Sequence, residues 1–223
     1  MSIEADQQSQ YWSKVARKYD YVVDLQIGRK TRSLIQERVA KEGRLGTLVE
    51  FGCGTGFHTG VLSEKADNVI ATDISPGMLA VAKEQIKTEN VKFQLEDCQE
   101  TSFPDGAFDT AFLSLVIHFT EPEKTLAEMR RVLKTGGTLI ITNLDPYALS
   151  SLNRIRCAAR VIYNGLARFR VKPPKGSASH LLPEETLCGL LRKSGFGVLD
   201  REIITDTSRS SNIPVDYIRA VRS

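Results

Sequence analysis

The chain has 223 residues, a formal net charge of +3, 41% hydrophobic side chains and 26% charged ones. That length suits one domain with a sizeable core, and the balance excludes disordered, collagen-like and disulfide-framed chains. No apolar run nears the roughly 20 residues that span a bilayer.

The start, MSIEADQQSQYW, is polar, and Cys53, Cys98, Cys157 and Cys188 form no C-x-x-C pair. Reduced thiols in a cytoplasmic protein are expected, without a signal peptide, disulfide frame or zinc site. Residues 145–180 hold seven Lys or Arg and one acid, so that segment is +6 and the remainder −3. The basic patch is local.

In chain order, residues 8–41 read as helix in two pieces around Gly28. Thr47–Phe51 is a short apolar strand, followed by a glycine loop and a helix to about Lys65. Val69–Thr72 is the second strand. Ser75-Pro76 then opens a helix, with Ser as N-cap and Pro in its first turn. Its apolar face is Met78, Leu79, Ala82 and Ile86. Val91–Leu95 is the third strand and Phe108–Leu115 the fourth, after a Phe103-Pro104-Asp105-Gly106 turn. Glu121-Pro122 starts a helix through Leu133 that Gly136-Gly137 should end. Thr138–Thr142 is the fifth strand. A helix from Leu182-Pro183 to Lys193 and strands near Val198–Ile204 and Asp216–Val221 complete the chain. Strands alternating with amphipathic helices indicate an α/β domain with a mostly parallel, doubly wound sheet.

The stretch LVEFGCGTGFHTG, residues 48–60, is the most informative one. A strand, a glycine turn and a helix N-terminus make a cradle for a nucleoside or an anion. A P-loop is excluded because no Lys follows the glycines. The dinucleotide fingerprint G-x-G-x-x-G fails at Phe57, since the spacing is Gly52, Gly54, Gly56. Glu50 discriminates further: a strand-end carboxylate aimed into the crevice repels a pyrophosphate and suits a ligand with an amino group and a sulfonium.

This E-x-G-x-G-x-G run resembles the first motif of the class I S-adenosylmethionine-dependent methyltransferases. FPDGAFDTAFLSLVIHF and EPEKTLAEMRRVLKTGGTLIITN resemble the subgroup that includes the ubiquinone and menaquinone C-methyltransferases. The resemblance implies a seven-stranded Rossmann-like sheet and S-adenosyl-L-methionine as cofactor. It assigns Asp73 to the ribose hydroxyls and Asp97 to the adenine amino group, with Glu96 a competitor for that place. Ile74 and Met78 would flank the adenine, or Met78 would be plain core. Glu50, Gly52, Cys53, Gly54, Gly56, Cys98 and Leu113 complete the expected cofactor set, and His58 lies near the methionine carboxylate. Tyr19 matches a segment that closes over the cofactor in related enzymes, with Tyr11 and Trp12 beside it. The chain then divides into a helical lid (1–42), a cofactor core (43–144), a basic insert over the acceptor (145–181) and a C-terminal helix with antiparallel strands (182–223).

In-line methyl transfer needs alignment and, for a protonated acceptor, a base. The candidates are His118, just past the fourth strand, His180, before the last helix, and Tyr19. Three scattered histidines give no metal-ligand spacing, so no metal is expected. The acceptor is expected to be a small molecule, apolar or anionic, of quinone, thiol or phenol type. A non-catalytic cofactor-binding protein and a nucleic-acid methyltransferase are the alternatives. The latter is disfavoured because Asp145-Pro146-Tyr147 follows the fifth strand rather than the fourth. Leu152, Ile155, Ala159, Ile162, Leu166 and Phe169 stripe one face of a basic helix over 147–170. That helix reads as a lid, as a contact with an anionic membrane, or as a solvated helix.

Overall fold

The computed structural model describes residues 3–153, 155, 181–208 and 213–223. Its centre is a seven-stranded sheet in the order β3-β2-β1-β4-β5-β7-β6. The strands are β1 (Thr47–Phe51), β2 (Asn68–Asp73), β3 (Val91–Leu95), β4 (Phe108–Ser114), β5 (Leu133–Leu144), β6 (Phe196–Ile204) and β7 (Val215–Arg222). The first five run parallel, and β7 is antiparallel to both β5 and β6. The order reverses between β1 and β4, and that reversal leaves a crevice at the carboxyl ends of the two strands.

The helices are α1 (Ile3–Val15), α2 (Tyr19–Gln26), α3 (Arg29–Ala40), α4 (Thr59–Lys65), α5 (Pro76–Gln85), α6 (Pro122–Val132) and α7 (Glu184–Lys193). Strand residues alternate between two covered faces. Val49, Phe51, Leu113, Ile141 and Ile218 pack with Leu126, Met129, Leu187 and Leu191 from α6 and α7. Leu48, Ala71, Phe112 and Ile140 pack on the other face with Ile35, Leu62 and Leu79 from α3, α4 and α5. Each such fully buried side chain contributes about 1.5–3 kcal/mol of transfer free energy. Ser75 caps α5 as its sequence suggests, with its hydroxyl accepting from Met78 N at 3.1 Å and Pro76 in the first turn.

Two expectations need correction. The N-terminal helix is in three pieces, not two, because a 3-10 turn over Ala16–Lys18 precedes the break at Gly28. Gly136-Gly137 does not terminate a helix ahead of a short strand. The strand starts at Leu133 and runs through both glycines. Phe108 pairs with Leu133 and Thr110 with Thr138, so β5 bulges between them. A Cβ on Gly137 would come 2.8 Å from the Lys134 carbonyl oxygen, which is why the bulge takes glycine.

Candidate cofactor and acceptor site

β1 delivers the chain into the glycine loop at the point where the strand order reverses. Gly52 has φ +67°, and a Cβ there would lie 2.3 Å from Val116 Cγ2, so the segment after β4 closes directly on the loop. Gly54 N donates to Asp73 Oδ2 at 2.9 Å, while Ser75 N donates to Asp73 Oδ1 at 2.9 Å. One carboxylate at the end of β2 therefore ties the glycine loop to the start of α5. Asp73 is 8% exposed. Burial pushes its pKa up to about 6, against the pull of these backbone N–H groups. The Ile74 N–H also acts on this carboxylate, whose two oxygens offer about four acceptor positions between them.

A cleft of about 710 Å³ opens beside this carboxylate. It gathers Tyr19, Gly52, Gly54, Asp73, Ile74 and Met78, and with them Asp97 and Cys98. Met78 both lines the cleft and is a buried core residue. Asp97 Oδ1 accepts from Gln99 N at 2.9 Å, fixing the turn after β3. Glu96 lines the same wall, held by Ser102 N at 3.0 Å. Burial pushes the Cys98 thiol far up, so it stays neutral. Tyr19 is likewise pushed up to about 12 by burial, so its hydroxyl keeps its proton at neutral pH.

Other expected residues lie behind the cleft or elsewhere. Glu50, Cys53, Gly56, His58 and Leu113 do not line it. Glu50 lies on the face of β1 that it shares with Leu48, which packs with Leu62 of α4. There Thr59 Oγ1 donates to Glu50 Oε2 at 2.6 Å. Glu50 is 2% exposed, and burial pushes its pKa up to about 7, with Thr59 lowering it and the nearby Asp73 charge raising it. Cys53 and Leu113 are buried core side chains. His58 is buried between the Phe57 and Phe112 rings, at 5.1 and 5.8 Å, and burial lowers its pKa to about 3.

His118 sits in a 3-10 turn over Ile117–Phe119, 4% exposed, and does not reach the cleft. Its Nδ1 has no hydrogen-bond partner, and burial lowers its pKa to about 4. The turn directs Phe119 rather than His118 toward the cavity. His180 and most of the basic helix over 147–170 lie outside the described residues. Of its apolar stripe, Leu152 and Ile155 are described and are 59% and 67% exposed.

The N-terminal helices supply the roof of the cleft. Trp12 meets Phe119 edge to face at 5.1 Å and Tyr19 at 5.9 Å. Its indole N–H donates to Gln8 Oε1 at 3.1 Å, and Gln8 Nε2 donates to the Phe119 carbonyl at 3.4 Å. Gln8, Leu115, Val116 and Phe119 are lining residues that sequence reasoning missed. Among the described residues Leu115 is the non-glycine one with positive φ, at 59°, and such outliers cluster at functional sites. No local motif marks any of the four. Beneath the roof, the Asp20 carboxylate accepts from Thr55 Oγ1 at 2.9 Å and from Arg32 Nη2 at 2.6 Å. Arg32 is 3% exposed, bonds Asp24 as well, and stacks over Phe57 at 3.7 Å. That network fastens α2 and α3 to the glycine loop.

Among the described residues no helix is long and apolar enough to cross a membrane, and no group of three His, Cys, Asp or Glu side chains gathers to hold a metal.

The methyltransferase-domain family model matches residues 49–141. Malonyl-[acyl-carrier protein] O-methyltransferase of Serratia marcescens is 30% identical over 144 residues, covering 63% of this chain and 54% of that protein. The chain thus spans little more than half the length of that relative. The ubiquinone/menaquinone biosynthesis C-methyltransferase UbiE of Citrobacter koseri is 30% identical over 220 residues, covering 88% of this chain and 85% of that one. The crystal structure of an S-adenosylmethionine-dependent methyltransferase from Mesorhizobium loti has the same fold, with a TM-score of 0.64 at 21% identity over 86% of this chain and 98% of the other. With the glycine loop, Asp73 and the sheet order in the arrangement that family requires, the chain belongs to the class I S-adenosylmethionine-dependent methyltransferases.

Proposed function

We propose that the protein transfers the methyl group of S-adenosyl-L-methionine to a small-molecule acceptor whose nucleophile can lose its own proton. The observation that carries this reading is the Asp73 carboxylate. It is braced by Gly54 N and Ser75 N, opens on the cleft, and can accept further hydrogen bonds from a ribose diol. Ile74 and Met78 are placed to flank the adenine, and Asp97 to accept from its amino group. The bare backbone at Gly52 and Gly54 lets the methionine portion approach closely. Glu50 lies behind the loop and acts there as a buried negative charge that favours a cationic amino group. The cofactor, when bound, supplies a methyl group already activated on sulfur.

The chain's own part is then alignment and water exclusion, which alone supply effective molarities of about 10⁵–10⁸ M. No histidine among the described residues lines the cleft, and Tyr19 holds its proton too tightly to serve as a base. An acceptor that ionises by itself, such as a thiol, a phenol or a quinol, suits this site. The carboxylates of Glu96, Asp97, Glu100 and Glu121 around the cleft, against Lys124, weigh against an acceptor that carries a permanent anionic group such as a phosphate. The relatives named as a ubiquinone/menaquinone C-methyltransferase and a malonyl-[acyl-carrier protein] O-methyltransferase favour an acceptor other than nucleic acid.

Incubation with radiolabelled S-adenosylmethionine and a panel of thiols, phenols and quinols is expected to label at least one class. Labelling of none, or of RNA instead, would overturn the reading.

A further inference from the structure

Between the end of β3 at Leu95 and the start of β4 at Phe108 the chain forms no helix or strand. Residues 97–102 of that loop all line the cleft. Backbone groups in such a loop need partners from elsewhere, and α6 supplies them. At the start of α6, Glu121 N donates to Gln99 Oε1 at 2.8 Å. Near its end, Glu128 Oε1 accepts from Thr101 N at 2.8 Å and from Thr101 Oγ1 at 2.5 Å. Arg131 completes the hold. Its Nη2 donates to Glu128 Oε1 at 2.7 Å and to the Thr101 carbonyl at 3.3 Å. Its Nη1 donates to the Phe103 carbonyl and to Asp105 Oδ1, both at 2.7 Å. One planar guanidinium thus gathers two loop carbonyls and two carboxylates, which a single ammonium could not do. Neither Glu128 nor Arg131 lines the cleft.

The hold is passed along the turn to Asp97. Glu100, next to Thr101, donates its N–H to the Asp97 carbonyl at 3.0 Å and pairs with Asp97 in a single antiparallel bridge. Gln99 N and Gln99 Nε2 both donate to Asp97 Oδ1, at 2.9 and 3.5 Å. Both bonds fall on one oxygen, so among the described residues Oδ2 keeps its acceptor capacity. Asp73, by contrast, is braced by Gly54 N and Ser75 N and takes nothing from α6. The two carboxylates are supported by separate elements.

We propose that Arg131 and Glu128 are positioning residues for recognition of the cofactor's base, holding the 97–101 turn on α6 so that Asp97 reads the 6-amino group of the adenine. This deepens the methyltransferase reading and rests on it for the identity of the ligand. Neither residue touches the base. They act through Thr101, Glu100 and Gln99 on the Asp97 carboxylate.

A ratio separates base recognition from overall stability. S-adenosylhomocysteine and its analogue with hydrogen in place of the 6-amino group share every contact but that one. Calorimetry on the full chain is expected to show the wild type preferring the amino form by about 10- to 150-fold, the range for a hydrogen bond to a charged group. In Arg131→Gln the preference should fall below about threefold, since hydrogen bonds weaken steeply when misaligned. General loosening would weaken both ligands alike and leave the ratio unchanged. Arg131→Lys keeps a cation beside Glu128 and Asp105 without the fork. It should give an intermediate ratio, and it serves should Arg131→Gln fail to fold. Asp97→Ala should abolish the preference by itself, and adding Arg131→Gln should not change the ratio further, because residues acting through one contact are not additive.

A wild-type preference retained in both Arg131 variants would overturn the positioning role and leave the methyltransferase reading intact. Equal wild-type affinity for the two ligands would overturn it as well, because no amino contact would exist to be positioned. A wild type that binds neither ligand would sink the methyltransferase reading, and this proposal with it.

Discussion

The two halves of the cleft are built by different means. Its floor, from β1 through the glycine loop to α5, is held by backbone groups on one carboxylate: Gly54 N and Ser75 N on Asp73, with Thr59 on Glu50 just behind. Its roof is held by side-chain contacts between elements far apart in the chain, Gln8 with Phe119 and Ser13 with Gly77. Buried, charge-assisted bonds make the floor stiff. Neutral bonds at a half-exposed helix hold the roof less tightly than the floor.

Breaking the floor should have the largest effect. Asp73→Ala removes the ribose acceptor and strands two backbone N–H groups, each bond to a charged partner being worth about 1.5–3 kcal/mol. S-adenosylhomocysteine affinity should fall by about 10²- to 10⁴-fold on calorimetry, and an affinity within threefold of wild type would remove Asp73 from the site. Next is the joint between floor and roof. Asp20→Ala leaves the buried Arg32 short of a partner and Thr55 without its acceptor. It should cost about 1.5–3 kcal/mol in urea unfolding, the scale of a hydrogen bond to a charged group, because the Asp20 side chain is itself 36% exposed. Retention of Asp24 by Arg32 sets the low end as the expected one.

The pH dependence of the floor has a definite sign. Glu50 and Asp73 both have pKa values raised by burial, to about 7 and about 6. The folded state therefore holds these protons more tightly than the unfolded one. Their contribution to stability is full below about pH 4 and is lost as pH rises through 6 to 7. Glu50→Gln should raise the melting temperature of the ligand-free protein at pH 8 and leave it little changed at pH 5. A cationic ligand favours ionised Glu50, so wild-type affinity should climb as pH rises through about 7. Glu50→Gln should flatten that profile. A flat wild-type profile would separate Glu50 from the ligand.

The smallest effect is expected at His118. Removal of a general base costs about 10²- to 10⁴-fold. Because this ring is buried, neutral above about pH 4 and turned from the cleft, His118→Phe should change transfer by less than about threefold. A loss of a hundredfold would return it to the chemistry.

This contrast also explains what the sequence made legible. The glycine turn, the end of the second strand at Asp73 and the Ser75-Pro76 cap are local patterns in which a few adjacent residues determine a turn or a capped helix, and the structure has each of these elements where the pattern puts it. The roof depends on pairs 64 and 111 residues apart, and no periodicity encodes such a meeting. Glu50 was legible as an acid at a strand end, but its direction was not. That follows from which face of β1 is covered by α4, a tertiary fact. Gly136-Gly137 misled for a local reason: a glycine pair after an amphipathic helix usually ends it, whereas here it forms the bulge that lets β5 begin at Leu133. His118 stood one residue from Phe119, the side chain that does face the cavity, and only the 3-10 turn decides between them.

The most direct test of the central claim is isothermal calorimetry on the full chain with S-adenosylhomocysteine and, in parallel, NAD. Saturable micromolar binding of S-adenosylhomocysteine with no heat from NAD is the expected result. Binding of NAD, with none of S-adenosylhomocysteine, would contradict it.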